Sequence, residues 1–186
     1  PSYRELDGPQ GAFILPTTTP VQFEPQALKA SIARMVERAP EAMYLTHYGP
    51  VSDVPRLAQS LYEQIDAMVA IADACDGRAD RHRCIAAALS ALYLERAHAQ
   101  QVPLADEDVL RLLAMDVELN AQGLGVWLDR GRPGGAAPTC RSDVSRDRKE
   151  RWPWPLRKAP RLTRLATRVR RACGRDLRRS YSAPLD

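Results

Sequence analysis

The chain has 186 residues, 45% of them hydrophobic, which suffices for one globular domain with a core built mainly of Leu, Ala, Val, Ile and Met, since Phe contributes 2 residues and Trp 3. Its formal charge of +4 hides a division: residues 1–130 carry 11 Lys and Arg against 18 Asp and Glu, whereas residues 131–186 carry 16 against 5. The body is acidic and the C-terminal stretch strongly basic, so a uniformly basic nucleic-acid-binding protein is excluded. No apolar run approaches the roughly 20 residues of a membrane span, and no basic start followed by an apolar stretch marks a secretory signal. The chain opens at Pro1 without Met, which leaves its true N-terminus open.

In chain order, residues 1–23 read as short strands and turns. Ala12-Phe13-Ile14-Leu15 is an apolar run of strand length closed by Pro16. A helix is expected from Pro25, with Leu28, Ile32, Met35 and Val36 at helical spacing until Pro40. Met43-Tyr44-Leu45-Thr46 is a second strand-like run, ended by His47-Tyr48-Gly49-Pro50. With Ser52 as N-cap, a long helix carries Val54, Leu57, Leu61, Ile65, Met68, Val69 and Ala72 on one face until Gly77. A third helix is predicted over 82–100, with Ile85, Leu89, Leu92, Tyr93 and Ala97 inward. Asp106-Glu107-Asp108 places negative charge on the first turn of a fourth. Its inward residues are Val109, Leu112, Leu113, Val117 and Leu119, and Asn120 to Leu124 is expected to kink it into a short last helix holding Val126, Trp127 and Leu128.

At Gly131 the composition changes. The residues beyond it are Arg-rich with scattered Pro, a composition that argues disorder. Three readings of residues 131–186 stand open: a phosphate-binding extension, a basic amphipathic segment (Leu162, Leu165, Val169, Cys173, Leu177) on an anionic membrane surface, or an out-of-frame continuation of a GC-rich gene. Trp152 and Trp154, interleaved with Pro, offer base-stacking faces.

Among residues that carry chemistry, His47 is the most informative. An imidazole at the end of a strand-like run, beside Gly49, sits where α/β proteins keep their sites, and neutral imidazole is a common zinc ligand. By itself it does not make a metal centre, which needs about three protein ligands. Cys75, His82 and Cys84 are soft ligands close together around a helix–helix turn, but no C-x-x-C pair is present and the cysteines read as small hydrophobes. The four cysteines, Cys75, Cys84, Cys140 and Cys173, are too sparse for a disulfide scaffold and suit a reducing cytosol, so a cytoplasmic location is expected. His98, late on its helix, is placed against a helix end and given no catalytic role.

Three stretches in order carry a family likeness: Pro16-Thr17-Thr18-Thr19-Pro20-Val21-Gln22-Phe23-Glu24-Pro25, then Tyr44-Leu45-Thr46-His47-Tyr48-Gly49-Pro50-Val51, then Asp116 to Leu124 with Trp127-Leu128. Over roughly residues 1–130 the chain resembles the C-terminal part of a metallo-β-lactamase-fold hydrolase with an added helical C-terminal region. The resemblance implies an αββα sandwich (an α/β fold), of which residues 1–51 are a remnant, a helical region at 52–130, and a tail at 131–186. It implies one or two zinc ions in the complete protein, held by a His-x-His-x-Asp-His cluster, a later His, an Asp and a final His. His47 matches that last position. The cluster itself is absent from this sequence, and the family's Asp would fall just before Pro1. The implied activity is attack by metal-bound hydroxide on an acyl ester, thioester or lactone, with these 186 residues alone inactive. The competing expectation is a non-enzymatic helical module that presents the basic tail to nucleic acid or another acidic partner, and under either reading an oligomer stands open.

Overall fold

The computed structural model describes residues 3–18, 23–46 and 48–131. His47, the body's remaining gaps and the whole Arg-rich stretch beyond Gly131, with its predicted amphipathic segment, lie outside the described residues. What is described is mostly helical: a 3-10 turn (Tyr3–Leu6), α1 (Pro25–Val36), β1 (Met43–Leu45), β2 (Gly49–Val51), α2 (Val54–Cys75), α3 (Arg81–Ala99), α4 (Asp106–Leu112) and α5 (Ala114–Asp129).

The helices follow their apolar stripes. Pro25 stands in the first turn of α1, where its missing N–H goes unused. The 22 residues of α2 span about 33 Å at 1.5 Å each. Asp53, rather than Ser52, precedes its first turn; it takes a left-handed conformation (φ 54°), and its carboxylate meets Arg56 at 2.6 Å. α3 packs against α2 and α5, α1 lies on α2, and the Lys29–Asp66 ion pair ties α1 to α2. One buried cluster among the described residues runs through all of these, from Leu6, Phe13, Leu15 and Phe23 to Ile65, Met68, Ile85, Leu89, Leu113, Leu124 and Trp127. Phe23 meets the Trp127 ring edge to face, with centroids 5.9 Å apart.

Four expectations need correction. The described residues of the N-terminal region form no strand: they have the 3-10 turn, an isolated Gly8–Gly11 bridge and, over 12–18, neither helix nor strand. The break near the C-terminus falls at Leu113 (φ −93°, ψ 5°) and not at Asn120 to Leu124, through which α5 runs unbroken. Leu113 bends without losing its place in the ladder, because its N–H still reaches Val109 O and its carbonyl still accepts from Val117. The bend turns Leu119 outward, where it is 48% exposed, and Met35 on α1 is likewise 45% exposed.

The fourth correction concerns sulfur. Cys75 and Cys84 are joined as a disulfide, with Cα atoms 5.9 Å apart. Their spacing of nine gave no hint of pairing. The α2–α3 turn folds the end of one helix beside the start of the next, and that brings the two side chains together.

Candidate functional site

The strand-length run Ala12 to Leu15 forms no ladder with a neighbouring strand, yet Phe13, Ile14, Leu15 and Pro16 are buried. A buried backbone must have its polar groups satisfied. Here side chains stand where a neighbouring strand would be. Phe13 N–H donates to Asp7 Oδ1 at 2.9 Å, Leu15 N–H to the Tyr48 hydroxyl at 3.3 Å, and Thr18 N–H to Asn120 Oδ1 at 2.7 Å. On the carbonyl side, Ile14 O accepts from Gln64 Nε2 at 2.9 Å and Pro16 O from Asn120 Nδ2 at 3.3 Å.

Asn120 is the centre of this arrangement. Its Oδ1 accepts from both Thr18 N–H and Thr18 Oγ1 (3.0 Å), while its Nδ2 donates to Pro16 O and to the Tyr93 hydroxyl (2.7 Å). Both donors and both acceptor positions of the amide are used, which is the full capacity of Asn. Asn is a weak helix former because its side chain competes for backbone groups; in α5 the competition is directed at another segment. Thr18 Oγ1 also reaches Asn120 O at 3.1 Å. Gly123, one turn on, permits the approach: a Cβ there would stand 2.1 Å from Thr18 O. Gly123 was read as part of a kink, and its actual service is this close contact.

Two phenols flank the node. Burial pushes the Tyr48 hydroxyl up to about 12, against the opposing effect of the Leu15 N–H it accepts, and the Asp116 carboxylate adds to the rise. Tyr93, deeply buried, is also raised, by burial first and with Asp116 contributing. The Asp116 carboxylate on α5 thus acts electrostatically on both phenols. Both phenols are neutral at ordinary pH and serve as hydrogen-bonding groups.

The strands β1 and β2 form an antiparallel hairpin in the register Met43–Val51, Tyr44–Pro50 and Leu45–Gly49. Gly49 (φ +81°) takes the conformation that the hairpin connection demands. His47 belongs in sequence to the 46–48 connection and lies outside the described residues, so its role as a ligand is tested by nothing in the fold. No three His, Cys, Asp or Glu side chains converge as a metal-holding group among the described residues. Cys75 and Cys84 are bonded to each other, which removes their thiolates from any ligand set, and His82 Nε2 lies 3.1 Å from Glu118 Oε2. His98 Nε2 lies 2.6 Å from Asp106 Oδ1, at the start of α4. The described residues therefore do not fit a zinc centre by themselves.

The residues that sequence reasoning missed are Gln64, Tyr93 as a polar group, Asn120 and Thr18. Gln64 and Asn120 occupy stripe positions of α2 and α5, and a polar residue on an apolar stripe was the available signal. No helix among the described residues is long and apolar enough to cross a membrane. No family model, curated protein or solved structure matches this chain.

Proposed function

We propose that this chain is the C-terminal portion of a metal-dependent (zinc) hydrolase of the metallo-β-lactamase superfamily, whose substrate is an acyl ester, thioester or lactone. The observation that carries the proposal is convergence. The three stretches on which the resemblance rests are distant in sequence, yet Pro16 and Thr18 from the first bond to Asn120 in the third, and Tyr48 from the second bonds to Leu15 beside the first. The first and third stretches thus meet at Asn120, and the second reaches the residue next to the first.

In this reading the parent fold is an α/β sandwich. The buried run Phe13 to Pro16 is covered on both faces, the pattern of an interior strand. The helical layer holds that run through Gln64 and Asn120, and Tyr48 links the run to the hairpin. His47 would supply one metal ligand, and the others would come from polypeptide preceding Pro1. When bound, the metal supplies an activated water. The part of this chain is to hold the imidazole-bearing connection and to shape the substrate entrance with its helices, and alone it is inactive.

The test is a polypeptide that includes the residues encoded in frame upstream of Pro1. A His-x-His-x-Asp-His cluster, stoichiometric zinc, and acyl hydrolysis that falls by about 100-fold or more in kcat/KM for His47→Ala would support the reading. Absence of the cluster, or unchanged activity in the variant, overturns it. The 186-residue chain by itself should bind zinc weakly or not at all.

The charge division, 16 basic against 5 acidic residues over 131–186, favours a second reading in which those residues bind nucleic acid or another acidic partner. DNA affinity that falls steeply with salt and vanishes on deletion of 131–186 would support it, and no binding at low salt would remove it.

A further inference from the structure

We infer that the Cys75–Cys84 bond is a shielded structural cross-link, closed while the start of α3 is still open and thereafter protected by the fold from external thiols. The inference is independent of the hydrolase reading.

Cys75 ends α2 and is fully buried, and Cys84 lies in the first turn of α3 and is 5% exposed. Both belong to the main apolar cluster, with Ile71, Ala72, Ile85 and Ala88 beside them in sequence. The chain between them turns through Gly77 (φ +71°), and Asp80 pairs with Arg78 at 2.8 Å and Arg83 at 3.3 Å across the turn. Disulfide exchange needs in-line approach of a thiolate to a sulfur atom. Sulfurs enclosed in this way admit no external thiol until the turn opens. A metal on the same cysteines would need a third ligand, and His82 is directed to Glu118 on α5.

The oxidant required is a low-molecular-weight disulfide. The thiolate of one cysteine attacks it, forming a mixed disulfide and releasing one thiolate. The second cysteine then attacks the protein-bound sulfur and releases the other. Two cysteine thiols become one cystine, and the small disulfide takes up two electrons and two protons as two thiols. Once formed, the link closes a short loop between two long helices and restricts the unfolded chain.

The experiment uses the full chain, folded in a glutathione redox buffer, then unfolded in guanidinium chloride with iodoacetamide present to block every free thiol before digestion with trypsin. Residues 57–78 and 84–96 should appear as one disulfide-linked pair, while Cys140 and Cys173 fall in other peptides. Dithiothreitol should reduce the link about 100-fold more slowly in native buffer than in concentrated guanidinium chloride, because reduction waits for the turn to open. Reduction should lower the melting temperature by on the order of 10 °C, and the Cys75→Ala/Cys84→Ala chain should melt at one temperature with or without reductant. Free, alkylated Cys75 and Cys84 in the oxidised native protein would overturn the cross-link. Equal reduction rates in the two buffers would overturn the shielding. Both readings come from the wild-type chain, so they stand even if the double variant fails to fold.

Discussion

The α2–α3 hairpin and the segment 12–18 are both buried, but they are held in different ways. The hairpin satisfies its own backbone: each helix closes its ladder, and the apolar stripes of Val54 to Cys75 and Cys84 to Ala97 do the packing. Loss of one apolar side chain there leaves every backbone bond of the two helices in place. The segment has no ladder, and five of its backbone groups depend on Asp7, Tyr48, Gln64 and Asn120. Regular structure spreads its dependence over many residues, whereas this segment concentrates it on a few amides and hydroxyls.

The largest effect should therefore come from Asn120. Asn120→Leu keeps the branched heavy-atom shape and strands Thr18 N–H, Pro16 O and the Tyr93 hydroxyl in an apolar interior, while Thr18 Oγ1 keeps the Asn120 carbonyl. Each buried group left without a partner costs about 1–3 kcal/mol, and partial relaxation brings the total to roughly 4 kcal/mol. Urea denaturation followed by circular dichroism measures it. A loss below about 1 kcal/mol would mean that the segment is held by apolar packing and that the contrast with the hairpin is false.

Gly123 and Gly125 sharpen the same contrast within one helix. Gly123→Ala drives a methyl group to 2.1 Å from Thr18 O, a backbone atom that cannot swing aside, and the expected loss is about 2–3 kcal/mol. Gly125→Ala finds its nearest atom 4.0 Å away, at the tip of Arg81, so helix propensity prevails and the chain gains about 0.5–1 kcal/mol. Thermal melts of the pair should move in opposite directions.

These contrasts also explain what was legible. The helical stripes could be read because periodicity is local: all five inward residues named for α3, Ile85, Leu89, Leu92, Tyr93 and Ala97, are buried. The helix start at Pro25 and the strand beginning at Met43 were likewise local signals. The node was not legible, since Thr18 and Asn120 are 102 residues apart and Ile14 and Gln64 are 50 apart. Leu119 was misplaced because the stripe was continued across a bend that Leu113, an ordinary helix former, gives no warning of. The cystine was missed because cysteine number, not position relative to a turn, guided the expectation.

Alkaline titration separates the phenols from the rest of the node. In the folded chain Tyr48 and Tyr93 both ionise above the ordinary phenol value of 10.0, Tyr48 near 12. The unfolded chain therefore loses its phenolic protons first. Stability from these groups is complete below about pH 10 and declines as pH rises toward 12. Tyr48→Phe gives up the bond to Leu15 N–H, costing about 1 kcal/mol at neutral pH, and should flatten the decline. Tyrosinate absorbance near 295 nm, read beside circular dichroism, checks both. A wild-type chain that ionises every Tyr near pH 10 while still folded would contradict the burial of Tyr48 and Tyr93.

The smallest effect belongs to the exposed carboxylates of the helical surface. Asp80 is lowered to about 2, chiefly by its hydrogen bonds with Arg78 and Arg83, and Asp129 is lowered by Arg81. Depressed carboxyl groups contribute stability that is present above the unfolded value, 3.8 for Asp, and lost as pH falls toward the folded one. Wild type and Asp80→Asn should therefore differ above about pH 4 and converge near pH 2. The gap above pH 4 should be slight and should disappear in concentrated salt, because solvent already screens a pair that holds two flexible side chains at the surface. Asn120→Leu should show the reverse behaviour: its loss persists in salt and at every pH at which the chain folds, since no ion takes part in the bonds it breaks. A salt-sensitive Asn120→Leu, or an Asp80→Asn as damaging as Asn120→Leu, would place the weight of the fold on its surface and not on the amide that holds residues 16 and 18.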